Sequence, residues 1–97
     1  MMMVIVTYDV NTETEMGRRR LRRVARICED CGQRVQNSVF ECLVDAAGWV
    51  KFRARLVAEA NEGTDSLRFY FLGDNWKGRV EHVGVKASYD PQGPLIV

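Results

Sequence analysis

The sequence predicts one α+β domain with a ferredoxin-like βαββαβ topology, an antiparallel sheet with both helices on one face, and an added C-terminal strand. Three observations support this. The 97 residues suit a single domain, residues 1–97. The hydrophobic share of 46% and charged share of 28% are typical of a globular chain. Strand-like and helix-like apolar patterns alternate in that order, and right-handed crossovers then place both helices on the same face.

The first strand and the first helix have the clearest patterns. Residues 3–9 are apolar at both parities, which is typical of a central strand covered on both faces. Thr12 and Glu15 have the spacing of a capping box, and apolar residues then recur every three or four positions. Gly32 stands where a C′ glycine would end this helix. The apolar positions of the helix are Leu21, Val24, Ala25, Cys28 and Cys31.

The remaining elements are shorter. Asn37 and Ser38 fit a tight turn between two strands, because Asn tolerates a positive φ. An apolar stripe that begins at Trp49 indicates a second amphipathic helix. The expected ranges are strands at 34–36 and 39–44, a helix at 46–60, a strand at 67–72 and a weaker fifth strand at 80–85.

The face of the sheet away from the helices is predicted to be an interface. Residues 39–44 and 67–72 carry apolar side chains at both parities, so this face stays partly apolar. Exposed apolar surface of this kind usually marks a contact with another chain. We therefore expect a homodimer packed through the sheets. The C-terminal extension, residues 86–97, ends in three apolar residues and is a candidate for exchange between the subunits.

The basic residues are unevenly distributed. Residues 16–34 contain seven arginines against two acidic residues, a charge of +5, whereas the whole chain carries +1 and the rest therefore −4. Eleven of the 14 basic residues are Arg, which binds phosphate through two parallel hydrogen bonds. Cations in the first turns of a helix oppose its dipole, so their repetition favours a role in binding phosphate. A solvated basic helix face is the alternative.

Other classes of site are disfavoured. Three cysteines cannot all pair, which favours a reducing cytoplasm, and Cys28 and Cys31 lie on the apolar stripe as core residues. His82, the only histidine, fits a structural role better than that of a general base. No apolar run is long enough to span a membrane, and the N-terminus lacks a basic leader. Nucleotide-binding and hydrolase motifs are absent from the sequence.

Asp9 is the candidate metal ligand. It ends the first strand beside the start of the arginine-rich helix, and Mg²⁺ takes one or two carboxylates together with water and substrate phosphate. One carboxylate is few for a nuclease, but a two-fold axis near the strand end would supply a second copy. Alternatively Asp9 only caps the following loop, since Asp is a common turn residue.

The chain resembles a known family along nearly its whole length. The matching segments are residues 4–9, the arginine-rich helix, and residues 32–42, in which Arg-Val-Gln-Asn-Ser-Val-Phe is the most specific part. They are similar to the small CRISPR-associated endonuclease family, the second of the two core spacer-acquisition proteins, and look most like members from subtype C of type I systems. The resemblance implies a homodimer in which two copies of Asp9 bind a divalent metal near the axis.

The resemblance also assigns further positions. The family's basic residues correspond to Arg23 and Arg34, and its hairpin Ser and Phe to Ser38 and Phe40. Many members have Tyr where this chain has Asn37. With Arg19 from the basic cluster, the predicted nucleic-acid-binding residues are Tyr8, Arg19, Arg23, Arg34, Ser38 and Phe40.

We therefore predict an Mg²⁺-dependent endonuclease of CRISPR adaptation, in which Asp9 is the catalytic and metal-binding residue. It would cleave phosphodiester bonds of RNA or double-stranded DNA at a site shared across the dimer, in the cytoplasm. The alternative is a non-catalytic DNA-binding scaffold that bridges CRISPR integrase subunits in the spacer-integration complex. A ligand-sensing regulatory domain is a third interpretation, which would have no use for the arginine cluster.

Overall fold

The computed structural model describes residues 1–85 and confirms the predicted architecture. Four strands form one antiparallel sheet in the order β2-β3-β1-β4, and two helices connect them. This is the split βαβ arrangement, in which each helix joins two strands that flank a third. The elements are β1 (Met2–Asp9), α1 (Glu15–Cys31), β2 (Gly32–Gln36), β3 (Val39–Val44), α2 (Ala46–Glu59) and β4 (Ser66–Gly73).

The sheet has a helix-covered inner face and an outer face. Side chains alternate along each strand, so Val4, Val6 and Tyr8 of β1 point inward. Their neighbours on β3 and β4 do the same, because opposed residues of antiparallel strands share a face. The inner side chains meet α1 and α2 and form one continuous core. Its largest members with no exposed surface are Phe40, Leu56, Val4, Val6, Val24, Cys28 and Cys42.

Helix α1 begins later than the sequence predicts. The residue that caps it is Thr14, not Thr12: the Thr14 hydroxyl accepts a hydrogen bond of 3.0 Å from the Gly17 amide. Gly17 is required in this first turn despite its low helix propensity. A Cβ there would lie 2.0 Å from the carbonyl oxygen of Asn11, so the loop after β1 could not approach the helix so closely.

Gly32 does not end α1 as a left-handed C′ residue. Its φ of −153° is extended, and it is both the end of the helix and the first residue of β2. Its lack of a side chain allows close packing instead, since a Cβ would lie 2.4 Å from the Glu41 carbonyl oxygen. The expected positive φ at Asn37 is also wrong, because no described residue other than glycine has one. The β2–β3 pairing instead shifts register between Arg34 and Gln36.

The predicted fifth strand at 80–85 is wrong. After β4 the chain forms a short 3₁₀ helix, Trp76–Arg79, and residues 80–85 follow without strand structure. The Trp76 side chain is buried, and the Arg79 guanidinium donates to the Leu72 carbonyl at 3.1 Å. The predicted C-terminal extension, residues 86–97, lies outside the described residues, so its exchange between subunits stays a prediction.

No helix within residues 1–85 combines the length and the apolar character needed to cross a membrane.

Candidate functional site

One end of the sheet gathers several of the predicted site residues. Strand β1 ends there at Asp9, the β2–β3 turn lies beside it, and β4 begins there at Ser66, the register partner of Asp9. The turn is fastened to β1 by two hydrogen bonds: the Tyr8 amide donates to the Ser38 carbonyl at 3.1 Å, and the Tyr8 hydroxyl donates to the Asn37 carbonyl at 3.3 Å. The antiparallel order of the strands therefore places Ser38 next to the end of β1.

The Asp9 carboxylate is open to a ligand. Asp9 is exposed, and the alternation of β1 directs it to the outer face with Ile5 and Thr7. In the described part of the chain its side chain forms no hydrogen bond and no ion pair, so it does not cap the following loop. No group of three or more potential metal ligands occurs among residues 1–85. A lone, unpaired carboxylate fits Mg²⁺, which uses one or two carboxylates, better than Zn²⁺, which needs about four ligands.

Tyr8 and Phe40 occupy the core rather than the surface. Phe40 has no exposed area and Tyr8 is 6% exposed, with their ring centroids 6.1 Å apart. Both rings lie in the core, so nucleic-acid binding by Tyr8 and Phe40 stays a prediction. Burial raises the pKa of the Tyr8 hydroxyl, and nearby Arg34 opposes the rise, so this group is a neutral hydrogen-bond donor.

Phe40 instead supports Arg34. The Arg34 guanidinium lies 5.1 Å from the centre of the Phe40 ring and binds the Glu29 carboxylate at 2.9 Å. The cation–π contact and the ion pair hold the side chain on the edge strand β2. Arg34 itself remains exposed, so its position is fixed while part of its guanidinium stays accessible. Phe40 therefore affects the surface charge only indirectly, because it helps to hold the Arg34 side chain in place.

The arginines of α1 differ in how they are neutralised. Arg19 forms an ion pair with Glu15 one turn earlier, at 2.9 Å, and Arg23 pairs with Glu59 of α2. In each pair at least one side chain is largely exposed. Another anion can therefore readily replace the carboxylate. The predicted nucleic-acid-binding residues Arg19, Arg23 and Arg34 are thus accessible, but each already has a carboxylate partner.

Arg20 belongs to a buried ion pair that the sequence does not reveal. Its Nε and Nη2 atoms lie 2.5 and 3.2 Å from the two carboxylate oxygens of Asp65, which has no exposed side-chain surface. The backbone amides of Asn11 and Asn61 also donate to Asp65, at 3.0 and 2.9 Å. The Arg20 hydrogen bond, with these amides, holds the pKa of Asp65 well below its ordinary range. Arg20 is therefore structural.

The structure separates the predicted site into two surfaces. Asp9 lies on the outer sheet face at the end of β1, whereas Arg19 and Arg23 lie on a helix that covers the inner face. The sheet itself lies between the carboxylate and the helix, whose diameter with side chains is about 10–12 Å. Within one chain the predicted metal ligand Asp9 and the basic cluster consequently do not form a single pocket.

The cysteines lie in or against the core, as predicted for Cys28 and Cys31, whereas the structural role of His82 stays a prediction. All three thiols are free, Cys28 and Cys42 are buried, and burial raises the pKa of Cys28 to about 12. Such thiols are neutral and poorly reactive at neutral pH. His82 is exposed, and its Nε2 atom lies 3.1 Å from the Gly84 carbonyl oxygen, remote from Asp9 in the chain.

Comparison with known proteins gives consistent results. The family model "CRISPR associated protein Cas2" matches residues 2–80. The "CRISPR-associated endoribonuclease Cas2" of Chlorobaculum tepidum is 64% identical over 96 residues, which cover 99% of this chain and 100% of that protein. The "CRISPR-associated endonuclease Cas2" of Halalkalibacterium halodurans is 50% identical over 95 residues, covering 98% of this chain and 99% of that one.

Solved structures show the same similarity. The crystal structure of Streptococcus pyogenes Cas2 at pH 6.5 superposes with a TM-score of 0.74 at 63% identity, covering 86% of this chain and 100% of that chain. Another crystal structure of cas2 gives a TM-score of 0.64 at 31% identity, with 99% and 98% covered.

Proposed function

The chain belongs to the Cas2 family of CRISPR-associated proteins, and on that premise we propose that it is a metal-dependent endonuclease acting in CRISPR adaptation as a homodimer. Relatives named endoribonuclease and endonuclease support nuclease activity for the chain. The substrate is a phosphodiester of RNA or double-stranded DNA. The observation that carries the proposal is the exposed, unpaired carboxylate of Asp9 at the end of the central strand.

Asp9 is the residue that would hold the divalent metal, with Mg²⁺ the ion best suited to one carboxylate, water and phosphate oxygens. When bound, such an ion polarises a phosphoryl oxygen and activates water for attack. The protein's own contribution is to fix the carboxylate. Asp9 ends a strand that is paired on both sides, with β3 and with β4, so its backbone position is rigid. The arginines Arg19, Arg23 and Arg34 would neutralise the nucleic-acid backbone.

The homodimer is supported by the outer face of the sheet. Tyr70 is 47% exposed there, opposite Ile5, so apolar surface faces outward. Glu41 is buried without an ion pair in the described chain, and the buried Oε1 atom of its register partner Gln33 has no hydrogen-bond partner. Buried polar atoms normally have partners, and a second copy packed on this face would supply them. Two sheets packed in this way would also bring a second Asp9.

The first test is Asp9→Asn. This change keeps the shape of the side chain and removes one ligand charge, so metal-dependent cleavage should be lost while the fold and the dimer remain. The measurement is cleavage of single-stranded RNA and of duplex DNA with Mg²⁺ and with EDTA. Sedimentation velocity and a thermal melt report the dimer and the fold.

The matched control is Asp74→Asn, which changes an exposed aspartate after β4, on a loop, by the same charge. We expect this variant to cleave at the parent rate. Cleavage by Asp9→Asn at the parent rate in Mg²⁺ would show that Asp9 does not hold a catalytic metal.

A non-catalytic scaffold that bridges CRISPR integrase subunits on DNA is the second candidate. The separation of Asp9 from the basic helix favours it, because DNA could bind the arginines without reaching the carboxylate. The same experiment distinguishes the two functions. A scaffold binds duplex DNA equally well as parent and as Asp9→Asn, and neither protein cleaves RNA or DNA in Mg²⁺.

A further inference from the structure

Three arginines of α1 keep an uncompensated charge. Arg22 and Arg26 are exposed and form no hydrogen bond or ion pair with any residue in the range 1–85. Arg18 donates only to a neutral acceptor, the Thr12 carbonyl, at 3.2 Å. The other arginines of the helix are each bound by a carboxylate. We name Arg18, Arg22 and Arg26 the arginine track.

The spacing of the arginine track makes it a line of charge. Its members are four residues apart, which is about 6 Å along the helix axis, so the track is about 12 Å long. Arg22 and Arg26 each lie two positions, about 200° around the helix, from the buried Val24, and so point away from the core. Like charges at this spacing destabilise an isolated helix, and the structure supplies no acid between them.

The far end of the track borders a groove. Arg26 lines an open space of about 370 Å³ between α1 and α2, together with Arg23, Ile27, Arg55 and Glu59. Three guanidinium groups therefore meet around one space. Arg23 is paired with Glu59, and Arg55 with Asp30 at 3.4 Å, so within residues 1–85 Arg26 has no acidic partner. An anion in this groove would relieve the repulsion.

We propose that the arginine track is the principal contact for the sugar–phosphate backbone of duplex DNA, and that it binds on the helical side of the molecule, away from Asp9. The inference rests on the nucleic-acid partner proposed above and adds which surface meets it. The unpaired arginines give the larger share of binding, because phosphate binds to them without first displacing a carboxylate.

The test compares two double variants of the same helix. Arg22→Gln/Arg26→Gln and Arg19→Gln/Arg23→Gln remove the same charge from α1, but the first pair of arginines is unpaired and the second is ion-paired. Affinity for a 30-base-pair duplex is measured by fluorescence anisotropy at several salt concentrations. We expect Arg22→Gln/Arg26→Gln to lose at least tenfold in affinity and about two units of salt slope per chain, one for each phosphate contact.

Each outcome decides a separate point. Equal or larger losses in Arg19→Gln/Arg23→Gln would overturn the arginine track, while DNA binding itself would stand. An unchanged dependence of duplex affinity on salt in Arg22→Gln/Arg26→Gln would also overturn the proposal for the arginine track. Absence of duplex binding by the parent protein would overturn the nucleic-acid partner of the proposed function instead. Thermal melts should show both variants folded, since Arg22 and Arg26 hold no other described residue.

Discussion

Arg20 and Arg22 stand two positions apart on one helix, yet their surroundings differ completely. Arg20 is 12% exposed in its side chain and lies against the fully buried carboxylate of Asp65, whereas Arg22 is exposed and unpaired within the described chain. The helix places them about 200° apart, so one points toward the loop before β4 and the other toward solvent. The same residue type thus stabilises the fold at one position and remains free for a ligand at the other.

Arg20 differs from Arg22 because its partner, Asp65, also binds other parts of the chain. Its carboxylate accepts hydrogen bonds from Arg20 of α1, from Asn11 after β1 and from Asn61 after α2. Asp65, in the loop after α2, therefore binds both α1 and the loop after β1, which are far from it in sequence. Arg22 and Arg26 hold no other residue in the range 1–85, so their removal should reduce binding rather than stability. Three further experiments test this difference between the buried and the exposed arginines.

The largest effect is expected from Asp65→Ala. The change leaves the Arg20 charge and two backbone amides without their acceptor, and breaking a buried, hydrogen-bonded charge of this kind destabilises a protein by about 3 kcal/mol. The Tm should therefore fall by roughly 10–20 °C. The measurement is thermal and urea unfolding at fixed protein concentration, because dimer stability depends on concentration.

The control for Asp65→Ala is Asp74→Ala, since Asp74 is exposed and should change stability by no more than about 0.5 kcal/mol. If both variants unfold like the parent, Asp65 does not hold α1 and the loop after β1, and the distinction between Arg20 and Arg22 fails.

A pH dependence of intermediate size follows from the same carboxylate. The pKa of Asp65 is lowered in the folded state by Arg20, so the unfolded chain binds more protons as the pH falls below about 4. Asp65 therefore stabilises the fold at pH values above its pKa in the unfolded chain. This stabilisation is lost as the pH falls through its lower pKa in the folded protein. The measurement is the unfolding free energy from pH 6 to pH 2. In Asp65→Asn the acid slope should be shallower, by up to about 1.4 kcal/mol per pH unit.

If the unfolding free energy depends on pH equally in the parent and in Asp65→Asn, other carboxylates cause the loss of stability in acid. Asp65 would then titrate as in the unfolded chain.

The smallest effect is expected from Glu59→Gln. Removing this carboxylate releases Arg23 from its ion pair and converts it into an unpaired arginine beside Arg26. Affinity for duplex DNA should rise a few-fold, and the salt slope should steepen by up to about one unit per chain. Stability should change by less than about 1 kcal/mol, since the pair is partly exposed. Fluorescence anisotropy and a thermal melt measure both.

Glu62→Gln is the matched control, because it removes one negative charge from an exposed residue of the same region. A gain of the same size in both variants would show a general charge effect, and the pairing of Arg23 would then not limit binding.

The fold was largely predictable because its determinants are local. The apolar periodicities of residues 3–9 and of the first helix indicate elements that the structure confirms, within one or two residues. The errors arise where local patterns compete with packing. The β-branched character of residues 80–85 predicts a strand, but these residues follow the 3₁₀ helix without strand structure. Gly32 has the position of a helix-ending glycine, yet it serves the close approach of β3.

The candidate site was predictable to a smaller extent. Asp9 is identifiable because a carboxylate that directly follows a central strand must lie at the sheet end, and the structure places it there, exposed. Tyr8 and Phe40 were assigned from their positions in a motif, and their burial depends on the inward parity of β1 and β3. Asp65 was missed, since one aspartate in a polar loop gives no pattern that distinguishes it from a surface residue.

The sequence alone indicates the order of the first four strands and the two helices, the excess of arginine on the first helix and the family. These properties depend on composition and on side-chain spacing along the chain, which are local. Which arginines are free depends on the folded arrangement, because the carboxylate partners of Arg20 and Arg23 lie far from them in the sequence. An ion pair depends on distance in space, and residues 45 positions apart such as Arg20 and Asp65 meet only after the chain has folded.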